Sequence, residues 1–315
     1  MEIAEQMRPQ VLVTKPLGYK CLTALEAAYT VHTLVGDEDP QVVLDRVGQE
    51  ITAVAGGKVS AGLMQQLPKL EIIANSGVGV DSIDLDAARS RNIRVTNTPD
   101  VLNDAVAELA LGLMLALGRR IVDADKYVRD GRWKNGVFPP TTQLAGSKLG
   151  MLGLGRIGKE IAARAACMKM HVSYFSRNQQ PDQPYKYYAN LLEMAQAVDW
   201  MVVILPGGDA TNGIVSRKIM EALGPEGYLV NVGRGSMVDE EALLDLLSDG
   251  KLGGAALDVF VGEPNINDAL LKLDNLIVSP HQGSRTRQTR EAMEDLVVEN
   301  LHAYFAGQPL PAPVL

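Results

Sequence analysis

Short apolar runs recur through the first hundred residues: VLVT at 11–14, YTVHTL at 29–34, AVA at 53–55, EIIANS at 71–76 and IRVTN at 93–97. The segments between them carry apolar residues at helical spacing. Brief apolar runs alternating with helical segments are what a parallel sheet covered on its faces requires, so the pattern predicts repeated β/α units. Thr98–Pro99 interrupts it, and a long helical stretch from about Leu102 to about Asp130 follows as a linker helix. A second series starts at LGMLGL (149–154) and runs through HVSYFS (171–176), WMVVIL (200–205), YLVNV (228–232), AALDV (255–259) and LIVSP (276–280), ending near Ser284. The stretch at about 287–306 is amphipathic and helical and crosses back onto the first domain, and the tail PLPAPVL reads as an extended terminus. The expected fold class is α/β, with two Rossmann- or flavodoxin-like domains built on parallel sheets. Residues 1–98 plus 286–315 form one domain and 99–285 the other.

Composition agrees with this picture and removes several alternatives. A chain of 315 residues, 46% hydrophobic and 22% charged, is that of a soluble globular protein large enough for two domains. The start, MEIAEQMRPQ, lacks a basic region followed by an apolar stretch. The most apolar segment, AVAELALGLMLALG at 105–118, is broken by Glu108 and too short to span a bilayer, so no membrane partner and a cytoplasmic location are expected. Cys21 and Cys167 lie far apart and near no paired ligand motif, which points to reduced thiols, and the four histidines do not cluster, so no metal site is expected. A net charge of −8 without a basic run disfavours nucleic acid. Any anionic ligand must then be held by local geometry.

GLGRIG at 153–158 supplies such geometry. A lone G-x-G-x-x-G is weak, because glycines serve any tight turn, but here it follows the strand-like LGML and opens IGKEIAARAACM, whose Ile157, Ile161, Ala165 and Met168 share one helical face. Gly153 permits the turn, Gly155 lets backbone approach a pyrophosphate, and Gly158 lets helix pack close to strand. The end of the next strand discriminates between dinucleotides. An NAD site usually has an acidic residue there to accept ribose hydroxyls, whereas this chain has Ser176-Arg177-Asn178. Arg177 offers a permanently charged fork suited to a 2′-phosphate and Ser176 a neutral donor, so NADP(H) is preferred with NAD(H) possible. The plainer alternative is an arginine solvated at a loop tip.

Three more strand ends carry charged residues: Arg234 in NVGRGS, Glu263 in VFVGEP and His281 in SPHQGS. Ligands in open parallel sheets bind outside the carboxyl ends of strands, so these tips can converge on one crevice. Imidazole titrates near neutrality and can both give and take a proton, which suits hydride transfer to a 2-keto acid. A carboxylate bonded to the ring fixes its tautomer and favours the charged form, and an arginine can grip carbonyl and carboxylate together. Separately, each has a bland reading: a structural histidine, a loop carboxylate, a GRG loop that binds a cofactor phosphate or water. Their joint occurrence makes the case.

With these residues in view, the chain resembles the D-isomer-specific 2-hydroxyacid dehydrogenases over nearly its whole length. GLGRIG, NVGRGSMVDEEAL (231–243), ALDVFVGEP (256–264) and PHQGS (280–284) are similar to that family's motif blocks, in order. The resemblance implies an active site in the interdomain cleft, with Arg234, Glu263 and His281 as substrate-binding arginine, supporting glutamate and acid/base histidine. Asp258 would match the carboxamide-binding aspartate, although a buried aspartate at a strand end can be purely structural. NSGVGVDSIDLDAA (75–88) is similar to the substrate loop, whose N–H groups at Val78 and Gly79 would hold the carboxylate. Further implied cofactor contacts are Val106, Arg156, Ile157, Leu205, Pro206, Thr211, Val232, Gly233 and Gly283. LPGG (205–208), ALGPEG (222–227), TTQLAG (141–146) and SRN (176–178) look like an NADPH-preferring subgroup acting on glyoxylate, hydroxypyruvate and sometimes aryl pyruvates. Gln282 and Arg285 depart from the small or apolar residues of many members. GRWKNGVFPPTTQL (131–144) would wrap a second subunit, implying a homodimer. An aryl-pyruvate (hydroxyphenylpyruvate-type) reductase is the alternative substrate reading, and a nucleotide-sensing corepressor of the same fold the alternative of another class.

Overall fold

The computed structural model describes residues 8–315, so the expectation drawn from the first seven residues lies outside them. The chain divides into two compact units. One comprises the residues up to Leu102 together with Thr286–Leu315, and the other is Asn103–Arg285. Both are parallel-sheet α/β units.

In the first unit β1 (Gln10–Val13), β2 (Thr30–Thr33), β3 (Ala53–Gly56), β4 (Ile72–Asn75) and β5 (Arg94–Thr96) pair in the order β2-β1-β3-β4-β5. The chain winds outward in both directions from β1 and β3, so their carboxyl ends flank the topological switch point. Four helices connect the strands: α1 (Tyr19–Ala28), α2 (Pro40–Val47), α3 (Ala61–Gln66) and α4 (Leu85–Ser90). Their starts are legible: Asp39, Ser60 and Asp84 each accept a hydrogen bond from an N–H of the first turn, and Pro40 opens α2. The central strands are buried throughout, one face packed on Leu44, Met64 and Leu67 and the other on Leu25, Val297 and Leu301. The last two belong to the carboxyl-terminal helix, numbered below.

In the second unit β6 (Lys148–Leu152), β7 (His171–Phe175), β8 (Lys186–Tyr188), β9 (Trp200–Val203), β10 (Tyr228–Asn231), β11 (Gly254–Leu257) and β12 (Leu276–Val278) pair in the order β12-β11-β10-β9-β6-β7-β8. The winding reverses between β6 and β9. Trp200 anchors the sheet, fully buried and stacked on Tyr228 with ring centroids 4.3 Å apart. Helices α5 (Asn103–Gly118), α6 (Ile121–Arg129), α7 (Arg156–Cys167), α8 (Leu191–Ala197), α9 (Arg217–Leu223) and α10 (Glu240–Ser248) complete this unit, and α11 (Arg287–Phe305) returns to the first.

Three elements differ from the sequence expectation. The long helical stretch is two helices, because Arg120 sits at φ 49° and breaks the ladder between α5 and α6. β8 is an additional edge strand, formed by KYY with Tyr187 packed against Tyr174. The terminal PAPVL is not a loose extension: Val314 N–H donates to the Val95 carbonyl at 2.7 Å, and Pro313 bridges Thr96 antiparallel. Among the described residues no helix is long and apolar enough to cross a membrane, and no group of histidine, cysteine and carboxylate residues is arranged to hold a metal ion. Both cysteines are unpaired, and burial pushes the Cys21 thiol up to about 12.

Candidate active site

The turn after β6 is built by glycine where nothing else fits. Gly153 adopts φ 104°, and a Cβ there would lie 2.4 Å from the Ile204 carbonyl oxygen at the end of β9. Its N–H is bonded to the Phe175 carbonyl at 3.0 Å, which ties the turn to the end of β7. A Cβ at Gly158 would lie 2.5 Å from the Gly153 carbonyl, so this glycine lets α7 press onto the turn. Gly155 is different: it caps α7 with no side-chain hydrogen bond and has open space where a Cβ would project. Gly155 therefore supplies no side-chain acceptor to the first turn of α7, the helix dipole adds positive potential there, and nothing at Gly155 itself bars the backbone from a ligand. That cradle fits a dinucleotide pyrophosphate. Arg156 and Ile157 are the first residues of α7, Leu205 and Pro206 leave β9 beside it with Leu205 3.0 Å from the Gly153 Cβ position, and the Thr211 hydroxyl closes the following turn on the Pro206 carbonyl at 2.9 Å.

At the end of β7, Ser176 Oγ donates to the Asn178 carbonyl at 2.7 Å. That bond uses the hydroxyl's donor to shape the turn and presents Arg177, which is exposed and has no ion-pair partner among the described residues.

The tips of β10, β11 and β12 are bound to one another. Asn231, fully buried, accepts from Gly233 N–H at 3.0 Å and donates to the Arg234 carbonyl at 2.8 Å, bracketing the loop that carries Arg234 and burying Val232. A Cβ on Gly235 would fall 2.0 Å from the Phe260 carbonyl carbon, so only glycine lets the Arg234 loop sit against the segment leading to Glu263. Arg234 Nη1 donates to the Gly233 carbonyl at 2.8 Å. The Glu263 loop is fixed twice: Phe260 N–H donates to Glu263 Oε1 at 2.8 Å and Val261 N–H to Glu240 Oε1 at 2.7 Å. Burial holds the Glu240 carboxyl above the usual carboxylate range, with neighbouring Glu263 adding to the shift and the Val261 N–H opposing it.

His281 stands at the centre. Its Nδ1 lies 2.7 Å from Glu263 Oε2, which leaves Nε2 as the ring nitrogen for other chemistry. The ring is half-exposed, and the backbone is left-handed at φ 48°, uncommon for a residue with a side chain. Asp258, 1% exposed, enforces that conformation: Oδ1 accepts from Ser279 Oγ at 2.6 Å and from Gln282 N–H at 2.8 Å, Oδ2 accepts from Gly283 N–H at 2.9 Å, and its carbonyl accepts from His281 N–H at 2.9 Å. Gly283 lies against Val106 of α5, whose methyl is 3.4 Å from the glycine's Cβ position. Arg285 closes the loop through its N–H to the Gln282 carbonyl, and both side chains are exposed.

In the first unit, Val78 and Gly79 lie in the half-exposed loop that leaves β4. Sequence reasoning overlooked the side chains that hold the site's loops: Asn231 and Glu240 here, and Lys15, Asn75 and Asn97 around the β4 loop. For the asparagines and Lys15 the sequence signal is an amide or charge within two residues of a strand end, and for Glu240 a carboxylate at the start of a helix.

The model of the D-isomer specific 2-hydroxyacid dehydrogenase NAD-binding domain matches residues 111–283. A glyoxylate/hydroxypyruvate reductase of Arabidopsis thaliana is 45% identical over 309 residues, covering 97% of this chain and 98% of that protein. The hydroxyphenylpyruvate reductase of Plectranthus scutellarioides is 48% identical over 270 residues, covering 85% and 86%. Among solved structures, the NADPH-dependent glyoxylate/hydroxypyruvate reductase of Sinorhizobium meliloti in complex with NADP and malonate superposes with a TM-score of 0.93 at 41% identity, covering 98% of this chain and 97% of that one.

The contrast between Gly153 and Gly155 is testable. Gly155→Ala has room for its methyl and leaves the thermal unfolding midpoint where it was, yet weakens NAD(P)H binding, read by titration of nucleotide fluorescence, by roughly tenfold or more, the equivalent of about one lost hydrogen bond. An unchanged dissociation constant would remove the cradle from cofactor binding.

Proposed function

The chain belongs to the family of D-isomer-specific 2-hydroxyacid dehydrogenases, NAD(P)-dependent reductases of 2-keto acids, and on that premise we propose that it reduces glyoxylate and hydroxypyruvate to the D-2-hydroxy acids with NADPH. The observation that carries this reading is the His281–Glu263 pair at 2.7 Å, set on the same carboxyl edge of the sheet as the uncapped start of α7. Reduced nicotinamide supplies the hydride for C2 of the substrate. His281, with Nδ1 engaged by Glu263, carries the transferable proton on Nε2 and delivers it to the carbonyl oxygen as negative charge develops there. Arg234, held by the Asn231 bracket, grips the carboxylate and carbonyl, and the N–H groups at Val78 and Gly79 hold the carboxylate. The carboxylate of Asp258 holds the His281 loop with three acceptor sites and keeps one, on Oδ2, for the carboxamide, while Val106 and Gly283 form the apolar wall beside it.

Arg177 supports NADPH over NADH, because it places an uncompensated guanidinium where an acidic residue would serve ribose hydroxyls. A homodimer is supported by one surface: Val128, Trp133 and Val137 are 53%, 66% and 89% exposed, on and after α6, with Tyr127 and Phe138 packed edge to face beneath them. A cytoplasmic setting, where the exposed Cys167 thiol stays reduced, completes the reading. Hydroxyphenylpyruvate is the second substrate to assay, because the Plectranthus relative carries that name.

Three measurements test these assignments. His281→Ala lowers kcat by roughly 10²–10⁴-fold while the dissociation constant for NADPH changes less than about twofold; near-normal turnover would end its assigned role. Arg177→Asp moves the ratio of kcat/KM values toward NADH by about tenfold or more, equivalent to ~1.4 kcal/mol of lost phosphate recognition; a fixed ratio would sink the preference. In sedimentation velocity the wild type runs as a dimer and the double variant Trp133→Asp, Val137→Asp as a monomer, whereas a monomeric wild type at micromolar concentration would remove the interface.

A further inference from the structure

The loop that leaves β4 is held by its carbonyl groups. The Ser76 carbonyl accepts from the ammonium of Lys15, at the tip of β1. Asn75 Nδ2 bridges the Gly77 and Gly79 carbonyls at 2.9 Å each, and Asn97 Nδ2, at the tip of β5, donates to the Val78 carbonyl at 2.9 Å. Thr98 N–H adds a second bond to the Gly77 carbonyl at 3.1 Å. Four consecutive carbonyls are thus fixed from three strand tips. In a trans peptide the N–H of the next residue points opposite to the carbonyl, so the N–H groups of Gly77, Val78, Gly79 and Val80 are aimed away from these anchors. None of the four donates to an acceptor among the described residues, and all four residues are half-exposed. Asn75 is 4% exposed, and its Oδ1 lies 2.6 Å from where Gly57 would carry a Cβ, so glycine there makes room for the amide.

We propose that Asn75 and Asn97, assisted by Lys15, are positioning residues for substrate: they hold the peptide planes of Ser76–Gly79 so that a row of preorganised N–H donors faces the 2-keto acid carboxylate. This inference rests on the assignment of that loop to the carboxylate under Proposed function. The two amides are neutral and so cannot attract an anion over distance. Their effect is on orientation, and it falls on substrate affinity rather than on the chemical step. Lys15 adds a charge to orientation, and its ammonium behind the Ser76–Gly77 peptide strengthens the anion-binding face of that peptide. Gly56 makes room for it, since a Cβ there would lie 3.2 Å from Lys15 Cγ and 2.7 Å from Thr14 Oγ1.

The experiment compares Asn97→Ala, Asn75→Ala and Lys15→Met with Lys15→Arg and with Thr96→Val, a control at a buried hydroxyl that has no hydrogen-bond partner. Steady-state kinetics on glyoxylate and hydroxypyruvate are read beside calorimetric binding of oxamate, a non-reducible 2-oxo carboxylate probe, and NADPH affinity. The first three variants raise KM and the oxamate dissociation constant together, by about 10–100-fold, with kcat within about threefold and NADPH binding unchanged. Lys15→Arg restores most of the loss and Thr96→Val changes neither constant. Folded variants with unaltered KM and oxamate affinity, a fall confined to kcat, or an equal effect of Thr96→Val would overturn the inference while leaving the substrate assignment standing. Should Asn75→Ala fail to fold, the more exposed Asn97 and Lys15 decide. A wild type that neither binds oxamate nor reduces any 2-keto acid would instead remove the assignment itself and this inference with it.

Discussion

The second unit depends on one buried carboxylate. Desolvating Asp258 would cost several kcal/mol if it were left unpaired, and the chain offsets that cost with one hydroxyl and two backbone N–H donors from the β12 loop. Satisfying the carboxylate forces the loop to fold around it, and the left-handed turn at His281 is the geometry that brings Ser279, Gln282 and Gly283 to the same two oxygens. His281, the proposed acid/base, therefore holds a conformation it would not choose alone, over-determined by a neighbour that need not touch a substrate to matter. Because Asp258 N–H also donates to the Asn231 carbonyl, the same residue joins the β10 tip to the β12 tip, and the Arg234 and His281 loops share a frame.

The two units use opposite polarities of one device. At the β12 tip an acceptor, Asp258, holds N–H groups. At the β4 tip donors, Asn75, Asn97 and Lys15, hold carbonyls. Since N–H and C=O are opposed across a trans peptide, the kind of side chain beneath a loop decides which polar face of its backbone is offered to the outside. An acidic anchor leaves carbonyls outward and an amide or ammonium anchor leaves N–H groups outward. Only the second arrangement suits an anion.

This distinction explains how much was legible beforehand. The parallel-sheet class followed from apolar runs separated by helical spacing, because strands buried on both faces need apolar residues at every position, as in β3, β4, β9 and β11. β8 escaped because KYY is an edge strand with a mixed pattern, and the break at Arg120 escaped because a single left-handed residue leaves no mark on periodicity. Glu263 and His281 were legible as residue types suited to proton transfer, and the structure brings them into contact. Asn231, Asn75 and Asn97 were not, since an asparagine near a strand end reads as ordinary turn chemistry. Its consequence depends on which carbonyl its amide meets, and that is fixed by the neighbouring strand tips rather than by local sequence.

The acidity of the chain bears on why backbone performs so much of this recognition. With a net charge of −8 the molecule gains no long-range attraction for phosphate or carboxylate groups, and physiological salt screens what remains beyond about 8 Å. Binding must come from donors that act at contact distance and whose own fields are not cancelled by nearby carboxylates. The peptide N–H groups proposed to bind at the start of α7 and after β4 suit that need, because a dipole carries no net charge for a carboxylate to pair with. Side-chain cations can then be few and specific. In the proposed function Arg177 and Arg234 need only discriminate among anions that the backbone admits, which is where a guanidinium's fixed geometry contributes most.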